Sequence, residues 1–490
     1  MRDDTTRDDT ARDGTVRDGT TRDDTVRNDT VRNDTTARVT RDVATFGEYE
    51  FALGGTVPEL RVAYETYGEY DGDNAVLLCQ PLTTSAHVAR PYPDADTPPV
   101  VPAAADTDPW WNDVVGPGKA VDTEQYYVIC ANAPGSCYGT TGPASTDPRT
   151  GEPYGPDFPD TRMVDWTDTQ RRLLDHLGVA RLHAVIGGSI GGVNVLDWAR
   201  RVPQRVERVV PIAATPRLRA QALALDGLAR RAITADPDWN GGDYYDGPSP
   251  DHGLMLARQL GLIRYLSRDS FDQKFGVAPA EVRTDEHAAG TSDTGDGTET
   301  SDTGDDAETS PTDSDTPENT DLDARCPFPL GPFADGGTYR AVESFLDYQA
   351  DTFVDRFDAN SYLSLVRALD EFDLATRHHE DGDPTTASRP ASRPYDSDAA
   401  ALAGFDGEAL VLSFTGDWYY PVERSEAITA AFHEAGVPVV HRVVESAYGH
   451  DAFLAESHLF ASTLRAFLNE GVSGPTESPR GSSPRSTEVS

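Results

Sequence analysis

The chain has 490 residues, and its 83 Asp and Glu against 42 Lys and Arg give a formal charge of −41 at pH 7. Its mean hydropathy is −0.52, and no apolar run approaches the ~20 residues of a bilayer-crossing helix. Such a charge disfavours nucleic acid and anionic membrane surfaces as partners. The opening Met1-Arg2-Asp3-Asp4-Thr5 lacks the basic and apolar stretches of a signal peptide, so a soluble cytoplasmic protein is expected.

Only two lysines occur, Lys119 and Lys274, so almost all positive charge is arginine. Acid spread over tails and folded regions alike suggests a cytoplasm of high salt, where a Debye length of ~3 Å at molar salt screens self-repulsion. The four cysteines, Cys79, Cys130, Cys137 and Cys326, form no Cys-x-x-Cys pair and have no histidine at zinc spacing. They are expected to be buried free thiols, with no metal site.

Residues 2–36 repeat every five residues, from Arg2-Asp3-Asp4-Thr5-Thr6 to Arg32-Asn33-Asp34-Thr35-Thr36. A period of five fits neither helix nor strand and the unit has almost nothing apolar to bury, so 1–40 reads as a disordered tail. Strand candidates follow at Tyr49-Leu53, Arg61-Tyr67, Ala75-Cys79 and Tyr126-Ala131. A helix is expected at Thr167-Leu177, a strand at Leu182-Ile186, a helix at Gly191-Arg201 and a strand at Val206-Ile212. The pattern then turns helical at Ala220-Thr234, Gly253-Leu266, Tyr339-Asp355 and Ser361-Asp370, interrupted by an acidic low-complexity insert at 284–321 and a linker at 381–395. Strands Ala409-Phe414 and Val439-Val443 flank a helix at Ile428-Ala435. A last helix carries Phe460, Leu464 and Phe467 before a disordered tail at 471–490. This alternation predicts an α/β core at 41–212 and 401–470, with a mainly parallel sheet flanked by helices. The block at 213–400 is expected to form a helical lid above it.

The chemistry concentrates at Leu182-His183-Ala184-Val185-Ile186-Gly187-Gly188-Ser189-Ile190-Gly191-Gly192, a strand, a Gly-x-Ser-x-Gly turn and a helix start. Small residues permit a sharp turn that exposes Ser189 at the strand end, facing the N-terminus of the next helix. The Ile190 amide can then donate to an oxyanion. The bland alternative is a glycine-rich turn that only packs helix on sheet. A nucleophilic serine needs a base and an orienting acid, on loops after late strands in the order serine, acid, histidine. Thr415-Gly416-Asp417-Trp418 follows strand 409–414, and Glu445-Ser446-Ala447-Tyr448-Gly449-His450-Asp451 follows strand 439–443. Asp417 is thus the expected acid and His450 the expected base. His87, His183 and His458 are alternatives, but none follows a late strand in a Gly-His loop.

Further motifs run the length of the chain: Val62-Ala63-Tyr64-Glu65-Thr66-Tyr67-Gly68, Trp110-Trp111, Gly116-Pro117-Gly118-Lys119-Ala120, and Gly135-Ser136-Cys137-Tyr138-Gly139-Thr140-Thr141-Gly142-Pro143. Tyr154-Gly155-Pro156-Asp157-Phe158-Pro159, Ala235-Asp236-Pro237-Asp238-Trp239-Asn240-Gly241-Gly242, Phe357-Asp358-Ala359-Asn360-Ser361-Tyr362 and Gly449-His450-Asp451-Ala452-Phe453-Leu454 complete the series. In these motifs 46–470 resembles the homoserine O-acetyltransferase family of the α/β-hydrolase fold. The resemblance implies ping-pong transfer of an acetyl group from acetyl-CoA, through an acyl-Ser189 ester, to the hydroxyl of L-homoserine on the route to methionine. It implies a second oxyanion donor at Leu82, in Gln80-Pro81-Leu82-Thr83-Thr84-Ser85-Ala86-His87, where the family usually reads His-Ala-Leu-Thr-Gly-Ser-Ser-His. It also implies that Arg230 meets the substrate carboxylate, that Asp451 meets its amine or hydroxyl, that no cofactor stays bound, and that the enzyme is a homodimer.

Two rival readings use the same triad. An esterase or thioesterase would replace homoserine by water and would have no need of an amino-acid clamp such as Arg230 and Asp451. Homoserine O-succinyltransfer or serine O-acetyltransfer would keep the mechanism. No arginine near Ser189 or Leu82 calls for a succinyl carboxylate, so an acetyl donor is expected. A non-catalytic interaction protein would leave Ser189, Asp417 and His450 without a purpose.

Overall fold

The computed structural model describes residues 39–90, 109–279, 339–377 and 393–474, all within one unit. The repeat at 2–36, the acidic insert at 284–321, most of the 381–395 linker, most of the 471–490 tail and Cys326 lie outside the described residues.

Eight strands form the central sheet: β1 (Val39–Phe46), β2 (Leu60–Tyr67), β3 (Ala75–Cys79), β4 (Tyr127–Ala131), β5 (Leu182–Gly188), β6 (Val206–Ile212), β7 (Glu408–Phe414) and β8 (Val439–Val444). Their spatial order is β1-β2-β4-β3-β5-β6-β7-β8. β1 and β2 are antiparallel to their neighbours, and from β4 through β8 every pairing is parallel. Parallel strands covered on both faces read as unbroken apolar runs, and every residue of β3 is buried. Alternate residues feed two cores. Leu77, Ile129 and Val185 join one, while Val76, Val128 and Ile186 join the other.

α1 (Met163–His176) and α2 (Ile190–Arg201) lie between the central strands. Between β6 and β7 the chain forms α3 (Ala220–Ala235), α4 (Asp251–Tyr265), α5 (Arg268–Lys274), α6 (Ala341–Val354) and α7 (Ala359–Asp370), then a short α8 (Asp398–Leu402). α9 (Val422–Glu434) joins β7 to β8, and α10 (Ala452–Ala455) and α11 (Ala461–Glu470) close the chain. No described helix is long and apolar enough to cross a membrane.

Several elements differ from the sequence expectations. The strand expected at Tyr49-Leu53 shrinks to Tyr49–Glu50, paired with Thr56–Val57, because Gly54 and Gly55, both at φ near +88°, reverse the chain. β1 was hidden in a segment that reads as Thr, Arg and Asp. As an antiparallel edge strand it buries only Val39 and Ala44, and it starts inside the stretch assigned to the tail. α1 starts at Met163 instead of Thr167 because the buried Asp165 carboxylate accepts from the Arg162 amide at 2.8 Å, satisfying a helix-end donor. The final tail begins later than 471, since Gly471–Ser473 forms a further helical turn.

Candidate active site

β5 runs into α2 through Ser189, whose φ of 58° and ψ of −125° lie outside the regions open to most L-residues. Holding a non-glycine residue there costs about 1–3 kcal/mol, which the surroundings must offset. The Ser189 amide donates to Ile212 O at 3.0 Å, tying the turn to the end of β6. The flanking glycines are required by close approach. A Cβ at Gly188 would lie 2.3 Å from the Phe453 ring, one at Gly187 2.5 Å from the Gly191 backbone, and one at Gly191 2.2 Å from Cys79 O. That last contact also shows the end of β3 pressed against the first turn of α2.

The loops after β7 and β8 bring the acid and the histidine to this turn. His450 Nε2 lies 2.8 Å from Ser189 Oγ, and His450 Nδ1 lies 2.7 Å from Asp417 Oδ2. The other Asp417 oxygen, Oδ1, accepts from the Tyr419 and Tyr420 amides at 3.0 and 2.8 Å. Asp417 is 3% exposed and His450 1%. The rings of Tyr420, Tyr419, Tyr265 and Phe453 surround the imidazole at centroid separations of 4.8, 5.3, 5.9 and 6.0 Å. With Nδ1–H donated to the carboxylate, Nε2 presents a lone pair to the serine hydroxyl. That arrangement can take the proton of an attacking Oγ.

The helical insert braces both loops. Ser267 N donates to Tyr448 O at 2.8 Å, Asp451 N to Tyr265 O at 3.1 Å, and Trp418 Nε1 to Leu266 O at 2.9 Å. Gly449 permits this closeness, since a Cβ there would meet Ser267 N at 2.5 Å and its φ is +120°. Deeper in the insert, Asp226 of α3 pairs with Arg264 of α4 and accepts from Tyr419 Oη at 3.2 Å.

The remaining sequence candidates fall as follows. Ile190 is fully buried at the head of α2, and Leu82 is 8% exposed in the loop after β3. Among the described residues neither amide has a backbone acceptor, so both are free to serve as donors. Asp451 follows His450 and caps α10 without a side-chain hydrogen bond, and burial raises its carboxyl above the ordinary range. Arg230 on α3 is ion-paired with Asp370 at the end of α7, so its guanidinium already faces a carboxylate. His87 sits instead in a buried network with Glu65, at 3.1 Å, and with Arg90.

An arginine stands beside Thr83, the residue after Leu82. Arg356, after α6, donates through Nη1 to the adjacent Thr83 O at 3.3 Å and to Tyr138 Oη at 2.5 Å. Arg258 on α4 is also nearby, with its charge acting on both Arg356 and Asp451. Sequence reasoning passed over both; the one available signal was that Arg356 immediately precedes the Phe357-Asp358-Ala359-Asn360 motif. Cys79 and Cys130 are buried free thiols, and burial pushes Cys137 up to about 12. Among the described residues no cluster of His, Cys, Asp and Glu is arranged to hold a metal ion.

A family model of the alpha/beta hydrolase fold matches residues 101–295. The homoserine O-acetyltransferase of Haloferax volcanii is 50% identical over 439 residues, covering 89% of this chain and 91% of its own. The chain belongs to the homoserine O-acetyltransferase family. The crystal structure of homoserine O-acetyltransferase from Bacillus anthracis has the same fold, at a TM-score of 0.68 and 25% identity over 89% of this chain and 99% of that one. A homoserine O-succinyltransferase of Methylibium petroleiphilum is 38% identical over 85% of this chain and 89% of that protein. The family's α/β-hydrolase fold is thus the frame in which Ser189, His450 and Asp417 stand.

Proposed function

We propose that the protein transfers an acetyl group from acetyl-CoA to the hydroxyl of L-homoserine, the first committed step toward methionine. The observation that carries this reading is the unbroken relay from Asp417 through His450 to Ser189, in a member of this family. Ser189 Oγ attacks the thioester carbonyl and passes its proton to His450 Nε2. The Ile190 and Leu82 amides receive the oxyanion, a role worth about 3–4 kcal/mol per donor in comparable sites. The C–S bond then breaks, and the proton returns to the leaving thiolate of CoA. Homoserine enters, its hydroxyl yields a proton to His450 as its oxygen attacks the ester, and Ser189 leaves with that proton.

Asp451 supports amino-acid transfer over hydrolysis, since a carboxylate beside the relay gives an ammonium group a partner that water would not need. The acetyl donor is favoured over succinyl because relatives named as acetyltransferases reach 50% identity and those named as succinyltransferases 38–39%. The helical insert, by bracing both loops, serves as the lid over the site. A homodimer in the cytoplasm, with no bound cofactor, completes the proposal.

The test is CoA release by purified protein in KCl at high concentration, with acetyl-CoA or succinyl-CoA, each with homoserine, with serine or with neither. Release that requires acetyl-CoA and homoserine together, with O-acetylhomoserine as product, is expected. Release independent of acceptor would replace the proposal with a thioesterase, and succinyl-CoA or serine preference would change the substrate while leaving the relay in place.

A further inference from the structure

The amide of Leu82 belongs to a segment, 80–90, that is neither helix nor strand yet is buried along most of its length. Among the described residues it makes one internal backbone hydrogen bond, from Thr84 N to Pro81 O at 3.4 Å, in the turn that carries Leu82. Side chains supply most of what else holds it. Beyond β4, the Ala133 amide donates to Gln80 Oε1 at 3.3 Å, and Asn132 Oδ1 accepts from Ala86 N at 2.6 Å. On β2, Tyr67 Oη accepts from Val88 N at 3.0 Å and from Ala89 N at 3.3 Å.

Behind these contacts lies a buried carboxylate that the relay does not use. Glu65 of β2 stands opposite Arg41 on the edge strand β1, whose Nε lies 3.2 Å from Glu65 Oε1. The other oxygen, Oε2, accepts from Tyr67 Oη at 2.5 Å and lies 3.1 Å from His87 Nδ1. Burial and then the Glu65 charge push the Tyr67 hydroxyl well above its ordinary range, so it keeps its proton and donates. Arg90 Nε donates to His87 Nε2 at 3.2 Å, so that nitrogen is the acceptor and Nδ1 carries the hydrogen that Glu65 receives. Neither ring nitrogen is left for a substrate proton, which removes His87 as a base. A buried ion pair adds little stability over apolar residues of the same shape, and its clearest use is to fix one arrangement among several. Here the groups that Glu65 receives are a side chain of the loop itself, His87, and the side chain that holds the loop's amides, Tyr67.

We propose that Glu65 is a positioning residue for acyl transfer: through Tyr67 and His87 it fixes the far end of 80–90, so that the Leu82 amide stays where the oxyanion on Ser189 will form. This rests on the acyl-Ser189 chemistry argued above, with Leu82 as the second donor. An oxyanion donor is effective only if it is already aimed when the charge develops, and such a group must be placed to within about 0.5 Å. A loop with one backbone hydrogen bond of its own does not ensure that, whereas a carboxylate set inside the sheet and paired across to β1 does. The Tyr64-Glu65-Thr66-Tyr67-Gly68 motif and the arginine of β1 thereby acquire a part in the reaction.

The test compares kcat and KM for acetyl-CoA and homoserine, and inhibition by 1,1,1-trifluoroacetone, in the full chain and in Glu65→Gln, Tyr67→Phe, His87→Leu and His87→Asn. Addition of Ser189 Oγ to the ketone carbonyl gives a tetrahedral adduct whose oxygen needs the same two amides. Glu65→Gln sets an NH2 against either Arg41 or the Tyr67 and His87 donors, and Tyr67→Phe leaves the Val88 and Ala89 amides without their acceptor. Both are expected to lower kcat about tenfold to a hundredfold, less than outright loss of an oxyanion donor. Each KM should stay nearly constant while inhibition by the ketone weakens by a matching factor, as for an interaction made only in the transition state. His87→Asn, whose Nδ2 can stand in for Nδ1, should recover most of the activity lost in His87→Leu. Tyr67→Phe keeps the buried ring and serves where Glu65→Gln fails to fold. An unchanged kcat in these folded variants would overturn the proposal, and so would a raised KM with kcat intact or a lower kcat with ketone inhibition unaltered. A parent protein that never acylates Ser189 would defeat the proposed function and this inference with it, a result distinct from any of these.

Discussion

Ser189→Ala is expected to abolish CoA release that depends on acetyl-CoA and homoserine, with a loss of about 10⁴-fold or more. The reason is local: Oγ is the one atom of residue 189 that faces His450 Nε2, at 2.8 Å. Alanine keeps the backbone amide that donates to Ile212 O, so the turn, the fold and acetyl-CoA binding should survive. Free amides at Ile190 and Leu82 would still stabilise an oxyanion, which is why a small residual rate above water is compatible with the account. Steady-state CoA release, alongside circular dichroism of both proteins, checks this. Activity within tenfold of the parent would remove Ser189 from the chemistry.

Asp417→Asn should lose about 10⁴-fold in kcat, because it changes which nitrogen of His450 carries the proton. Asp417 Oδ1 is held by two amide donors, Tyr419 N and Tyr420 N. An asparagine must therefore keep its carbonyl oxygen there and turn its NH2 toward His450 Nδ1, where Oδ2 had been 2.7 Å away. An N–H donor at that position requires a lone pair on Nδ1, which moves the proton to Nε2. The imidazole then presents N–H to Ser189 Oγ and cannot take its proton. The shape of the site changes little, so the loss should appear in kcat with KM for acetyl-CoA nearly constant. A loss below tenfold would mean that Asp417 serves the loop and not the relay.

Both variants concern residues that were legible in the sequence, and the reason is physical. A strand, a run of small residues and a helix make a local pattern around Ser189 that few other structures need. Asp417 and His450 were found through their order and their place after late strands, because the ends of parallel strands all lie along one edge of the sheet. Arg258 and Arg356 could not be found that way. Arg356 reaches Thr83 across 273 positions of sequence, and the Phe357-Asp358-Ala359-Asn360 motif that follows it does not say what it touches. Arg230 is the converse case. Its motif is present, but its partner Asp370 lies on another helix of the insert. The misplaced start of α1 and the missed β1 share a further cause. Asp165 is polar yet buried with its hydrogen bonds satisfied by Arg162, Ala52 and Tyr49, and β1 covers an edge with few apolar side chains, so neither follows a hydrophobic period.

The most direct test of the central claim is mass spectrometry of the protein after exposure to acetyl-CoA with no acceptor. One acetyl group is predicted on the peptide carrying Ser189, removed on addition of homoserine with matching appearance of O-acetylhomoserine. No adduct, an adduct on another residue, or loss of the acetyl group to water at the same rate with and without homoserine would contradict transfer through acyl-Ser189.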